Sequence, residues 1–77
     1  MKKDNRRHLD SYKKIGNNVR NQRIANGLSQ EELAFQISSA RNYIGCIERG
    51  EKFPSIAVLL DIAKVLNCQL KDLTENV

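Results

Sequence analysis

The stretch that decides the fold runs from residue 28 to residue 50: Leu28-Ser29-Gln30-Glu31-Glu32-Leu33-Ala34-Phe35-Gln36-Ile37-Ser38-Ser39-Ala40-Arg41-Asn42-Tyr43-Ile44-Gly45-Cys46-Ile47-Glu48-Arg49-Gly50. Its opening is a capping box, in which the Ser29 hydroxyl accepts from an amide one turn on while Glu32 reaches back to the cap amide. A short helix follows with Leu33, Ala34 and Ile37 turned inward, and Ala34 is small enough for two helices to cross closely. Ser38-Ser39-Ala40 breaks the pattern and reads as a tight turn. Helical spacing resumes at Arg41 and closes at Gly50. Ile44 and Ile47 mark its buried side, and Asn42, Gly45, Cys46 and Arg49 fall on the opposite, exposed side.

Upstream, Tyr12, Ile15, Val19 and Ile24 recur at spacings of three to five among lysines, asparagines and arginines, which predicts a first helix from about Asp10 to Asn26. Gly27 reads as its left-handed cap, followed by the apolar Leu28. Downstream, Glu51-Lys52-Phe53-Pro54 is a loop, and Ser55 caps a fourth helix that runs to about Asn67. Ile56, Leu59, Leu60, Ala63 and Leu66 make one apolar face of that helix, and Val58, Ile62 and Val65 make a second beside it. That is more apolar surface than one thin core needs. A short fifth helix over roughly 70–74 adds Leu70 and Leu73. No strand signal and no internal repeat is present, so the fold class is all-α.

Composition narrows the partners. The 77 residues carry a net charge of +4, distributed unevenly. Residues 1–26 hold eight Lys/Arg and two acids, whereas residues 27–77 hold five and seven. A basic first third suits contact with a polyanion, through counterion release from phosphates. Residues 1–9 alone read as a flexible basic arm, leaving 10–77 as one domain. A chain of this length buries only about 60–65% of its unfolded surface, so a partner subunit is the expected supplement to its core. The two cysteines, Cys46 and Cys68, form no CxxC pair, and the one histidine, His8, lies in the polar N-terminal segment. Neither a zinc site nor any other cofactor is expected, and the cysteines read as reduced thiols. No membrane-length apolar run or signal peptide is present, so the expected location is the cytoplasm. No nucleophile–base pairing or phosphate loop is evident, and no enzymatic activity is expected.

A short helix, a turn and a second helix with a polar outer face describe a helix-turn-helix unit. The second helix of such a unit enters the DNA major groove by its N-terminal residues. The series Leu28–Ala34, Tyr43-Ile44, Ile47-Glu48-Arg49-Gly50, Pro54-Ser55 and Leu59–Asn67 resembles the phage repressor and Cro-type helix-turn-helix family over roughly residues 12–74. The Arg41-Asn42-Tyr43-Ile44-Gly45 and Ile47–Gly50 variant is also similar to the controller proteins of restriction–modification systems. The resemblance implies five helices, with the second and third as the DNA-reading unit. It places Gln30 against both DNA and the recognition helix, Ser29 and Arg49 (with Lys52 beyond them) on phosphates, and Arg41, Asn42 and Cys46 at base edges. Chemistry supports Arg41 and Asn42, since Arg pairs bidentately with guanine and Asn with adenine. Tyr43 is open to two readings, a phosphate or thymine-methyl contact or a lid over the core. The resemblance further implies an Arg23–Glu48 ion pair joining the first helix to the end of the third.

This chain departs from the family in the turn, where Ser38 replaces the usual Gly, Ser39 an apolar residue and Ala40 a capping residue. Either Ser38 takes a left-handed backbone, or Ser38 or Ser39 caps a recognition helix that starts a residue early. The function expected is a sequence-specific, homodimeric transcription regulator on an inverted-repeat operator in double-stranded DNA. Its dimer interface is expected at Val58, Ile62, Val65, Leu70 and Leu73. The alternative is an antitoxin-like module whose main partner is a protein.

Overall fold

A computed structural model describes residues 8–77, and every regular element among them is helical. The order is α1 (Leu9–Ala25), α2 (Gln30–Gln36), α3 (Arg41–Glu48), α4 (Ile56–Val65) and α5 (Leu70–Leu73). Helix α1 starts one residue ahead of the expected Asp10, and the rest of the expected arm, residues 1–7, lies outside the described residues. No helix among the described residues is long and apolar enough to cross a membrane.

One core serves all five helices. Ile15 and Val19 of α1 meet Leu33 and Ala34 of α2, Ile44 and Ile47 of α3, Leu59, Ile62 and Ala63 of α4, and Leu66 and Leu73. Helices α1 and α3 cross closely at Gly16. A Cβ there would stand 2.2 Å from the Ile47 carbonyl oxygen and 2.8 Å from that of Glu48. No side chain fits in that gap, so glycine is what allows the contact.

Helices α1 to α4 end alike. In each, a residue just past the cap turns left-handed, and two amides fold back on the last carbonyls in a Schellman motif. At Gly27 (φ 71) the Leu28 amide donates to the Arg23 carbonyl at 3.1 Å and the Gly27 amide to Ile24 at 2.9 Å. Ser38 (φ 56), Gly50 (φ 77) and Asn67 (φ 55) do the same for the next three helices. The turn after α2 therefore keeps its expected path with serine in the glycine place: the Ser39 amide reaches the Ala34 carbonyl at 2.8 Å. Neither Ser38 nor Ser39 caps α3, which starts at Arg41 behind Ala40 with no side-chain cap. The Ser29–Glu32 capping box forms as read, with bonds of 3.0 and 2.7 Å.

The apolar faces of α4 fall differently from the sequence reading. Leu59, Ile62, Ala63 and Leu66 form the buried stripe, with Ile62 and Leu73 fully enclosed. Those two cannot belong to a free dimer face, and Val58, Val65 and Leu70 are half-buried against the same core. Ile56 and Leu60, assigned to the inner face, are instead 58% and 50% exposed. Ile24 is exposed as well, because five residues beyond Val19 is about 140° off its stripe at 3.6 residues per turn.

Candidate nucleic-acid interface

The interface is built on a chain of hydrogen bonds that fixes α2 and α3 to α1. The Arg23 guanidinium is buried and forks onto Glu48, Nε to Oε2 at 2.7 Å and Nη2 to Oε1 at 3.1 Å. Its Nη1 donates to the Leu28 carbonyl at 2.7 Å, tying the end of α1 to the start of α2. Gln30 completes the chain, its Nε2 donating to the same Glu48 Oε1 at 3.0 Å. One carboxylate thus receives donors from two other helices, and no buried side-chain polar atom among the described residues lacks a partner. The bracing expected of Gln30 and the expected Arg23–Glu48 pair are both present.

On this frame α3 turns its outer side away from the core. Arg41 and Asn42 occupy its first two positions and are exposed, while Tyr43 is half-buried against the core as a partial lid. Cys46 is half-buried one turn further on. Ser29 is exposed at the head of α2 and Lys52 in the loop after α3. Gly45, read as part of the exposed stripe, is instead covered. A Cβ at Gly45 would meet the Arg49 Nη1 at 3.1 Å and the Gln30 Oε1 at 3.6 Å, so the two long side chains converge over it.

Arg49 itself lies back along the helix. Its Nε and Nη2 donate to the two carboxylate oxygens of Glu51 at 2.9 and 3.1 Å, and Nη2 also donates to the Cys46 Sγ at 3.6 Å. The shared hydrogen bond lowers the Glu51 pKa from its usual carboxylate range and raises that of Arg49. The loop carrying Glu51 is held on both sides. Gly50 packs so closely on Lys13 that a Cβ would stand 2.6 Å from its Cγ, and Phe53 stacks on Tyr12 with ring centres 4.7 Å apart. The sequence reading passed over Glu51, since a partner two residues beyond an arginine, past a helix end, leaves no periodic signal.

The basic residues of α1 border the same surface. Lys13, Lys14 and Asn17 line a shallow cleft of ≈ 410 Å³ with Asp10, Glu48 and Arg49. Lysines on the first helix and an arginine at the end of the third therefore border one cleft, beside the stripe of α3.

A capped short helix, a tight turn and a braced second helix with an exposed polar face define a helix-turn-helix DNA-binding protein. The helix-turn-helix family model matches residues 19–73, and the chain belongs to that family of DNA-binding transcription regulators. It is 38% identical over 65 residues to control protein C.SmaI of Serratia marcescens, covering 84% of this chain and 77% of the relative. It is 41% identical over 62 residues to control protein C.BamHI of Bacillus amyloliquefaciens, covering 79% and 76%. In structure it is similar to the restriction–modification controller protein C.AhdI of Aeromonas hydrophila, with a TM-score of 0.82 and 38% identity over 86% of this chain and 96% of that one.

Proposed function

We propose that the chain is a homodimeric transcription regulator that reads an inverted-repeat operator through the major groove, as the controller of a restriction–modification system. The observation that carries the reading is the Arg23–Glu48–Gln30 chain, which holds α3 rigidly with Arg41 and Asn42 exposed at its leading end. Arg41 suits guanine and Asn42 adenine at base edges. Gln30 approaches the groove from the head of α2, and Cys46 offers a small apolar contact. Ser29 and Lys52 flank the stripe as phosphate contacts, and the α1 lysines add affinity that carries no sequence information. The likeness to C.SmaI, C.BamHI and C.AhdI supports the controller role.

Dimerisation is proposed through the outer side of α4, where Ile56 and Leu60 are exposed beside the half-buried Val58 and Val65. A two-fold pair of recognition helices would then meet half-sites about 34–36 Å apart. Selection of bound sequences from random duplexes tests the whole reading. The expected result is a two-fold symmetric consensus, and a selection that returns no preferred sequence, or a lone asymmetric site, contradicts it.

A further inference from the structure

We propose that Arg49, which the family resemblance assigns to a phosphate, reads a guanine in the major groove, and that Glu51 is the residue that positions it. The inference rests on the reading that α3 lies in that groove. A guanidinium has one edge made by Nε and one Nη, and an end made by the outer hydrogens of both Nη atoms. The Glu51 carboxylate occupies the edge in a two-bond fork at 2.9 and 3.1 Å. Among the described residues Nη1 meets no acceptor and the side chain is 58% exposed, so this end is left for an acceptor pair such as guanine O6/N7. The acceptor that Nη2 meets there is the Cys46 thiol at 3.6 Å, a weak one that a base would displace.

Position supports the same assignment. The Arg49 side chain folds back one turn and lies over Gly45, where Nη1 would stand 3.1 Å from a Cβ. Gly45 has no side chain and Cys46 a short one that offers only a weak donor, so neither can make a bidentate base contact, and the arginine spans that gap in the middle of the stripe. The fork is also set in advance. Glu51 is anchored by its own amide on the Cys46 carbonyl at 2.8 Å, with Gly50 wedged on Lys13 to one side and the Phe53–Tyr12 stack to the other. Both partners of the fork are more than half exposed, so neither is needed to hold the fold.

The test compares wild type, Arg49→Ala and Glu51→Gln, each with its helical content checked by circular dichroism. All three bind the duplex selected by wild type, and duplexes in which each G·C pair is replaced in turn by A·T. Arg49→Ala is expected to lose the preference for one particular G·C pair in each half-site, by roughly 5- to 150-fold per pair, the worth of one bidentate arginine–guanine contact, and to keep the others. Glu51→Gln is expected to lose a smaller part of the preference at that same pair. The proposal is overturned if Arg49→Ala weakens every duplex alike and lowers the log–log salt slope by about 1 per protomer, about 2 for the dimer, the signature of a lost phosphate contact in each half-site. Tighter binding of Glu51→Gln to all duplexes with its preference intact overturns the positioning role, since Glu51 would then act only as a masking charge. A wild type that selects no sequence defeats the DNA-reading proposal itself, and is thereby told apart from a failure at Arg49 alone.

Discussion

At the scale of single residues, Arg23 carries the largest expected effect. Its guanidinium and the Glu48 carboxylate are nearly out of solvent, with side chains only 10% and 3% exposed. Removing one partner strands the other as a buried charge, so Arg23→Ala should destabilise the domain by about 3–5 kcal/mol in chemical denaturation. A midpoint within error of wild type would show the pair to be inert. Ser38 is the opposite case, an L-residue at φ 56 where glycine has no penalty. Ser38→Gly should stabilise by up to about 1 kcal/mol, the left-handed cost less glycine's extra unfolded entropy. Cys68 supplies a pH dependence. Burial, then the Asp72 carboxylate, push its thiol above the ordinary 9.0. The unfolded chain thus gives up this proton first, so the thiol's contribution is complete below pH 9.0 and is lost as pH rises through the folded value. The difference in unfolding free energy between wild type and Cys68→Ala should therefore shrink on the alkaline side and stay level below it. These residues differ in how openly the sequence displayed them. The Arg23–Glu48 pair was readable only because a family pattern joins positions far apart in the chain. Asn67 was missed as a left-handed cap because asparagine marks such caps less often than glycine.

Among the elements, the recognition helix has a weakly capped start and a tight back. Ala40 precedes α3 in cap geometry, φ −90 and ψ 146, yet offers no acceptor. Ala40→Ser should add about 1 kcal/mol by supplying one, visible as a raised melting temperature with the operator preference unchanged. The glycines on either side of the α1–α3 region behave in opposite ways. Gly16→Ala would drive a methyl into the Ile47 and Glu48 backbone carbonyls, which cannot yield without moving α3. A loss of about 1–3 kcal/mol from overpacking is expected, together with weaker DNA binding. Gly45→Ala crowds the flexible end of Arg49 and touches the Gln30 Oε1 at ordinary contact distance, so the helix should gain stability, about 1 kcal/mol in propensity, while sequence discrimination falls. Helix positions were largely legible, because the Ser29–Glu32 box, Gly27 and Gly50 are local signals that need no tertiary context. The inner face of α4 was not. Two apolar stripes side by side look alike until the neighbouring helices choose one, and the core chose Leu59, Ile62, Ala63 and Leu66.

For the whole molecule, the choice made by α4 decides which apolar residues remain for the proposed dimer contact. With Ile62 and Leu73 enclosed, the large apolar residues left exposed on α4 are Ile56 and Leu60. Leu60→Asp should therefore weaken self-association without unfolding the protomer, read as monomer in sedimentation at concentrations where wild type is dimeric. DNA affinity should fall with it, because two linked recognition helices bind far more tightly than either alone. An unchanged sedimentation profile would move the interface elsewhere. The Arg23–Glu48–Gln30 chain has a last consequence of a genetic kind. The Arg23–Glu48 bonds that hold α3 in place also tie α1 to the fold, so a substitution that loosens α3 there should loosen the fold with it. Weakening substitutions along that chain should accordingly appear in a living cell as temperature-sensitive alleles, regulating normally in the cold and failing abruptly, rather than by degrees, on warming.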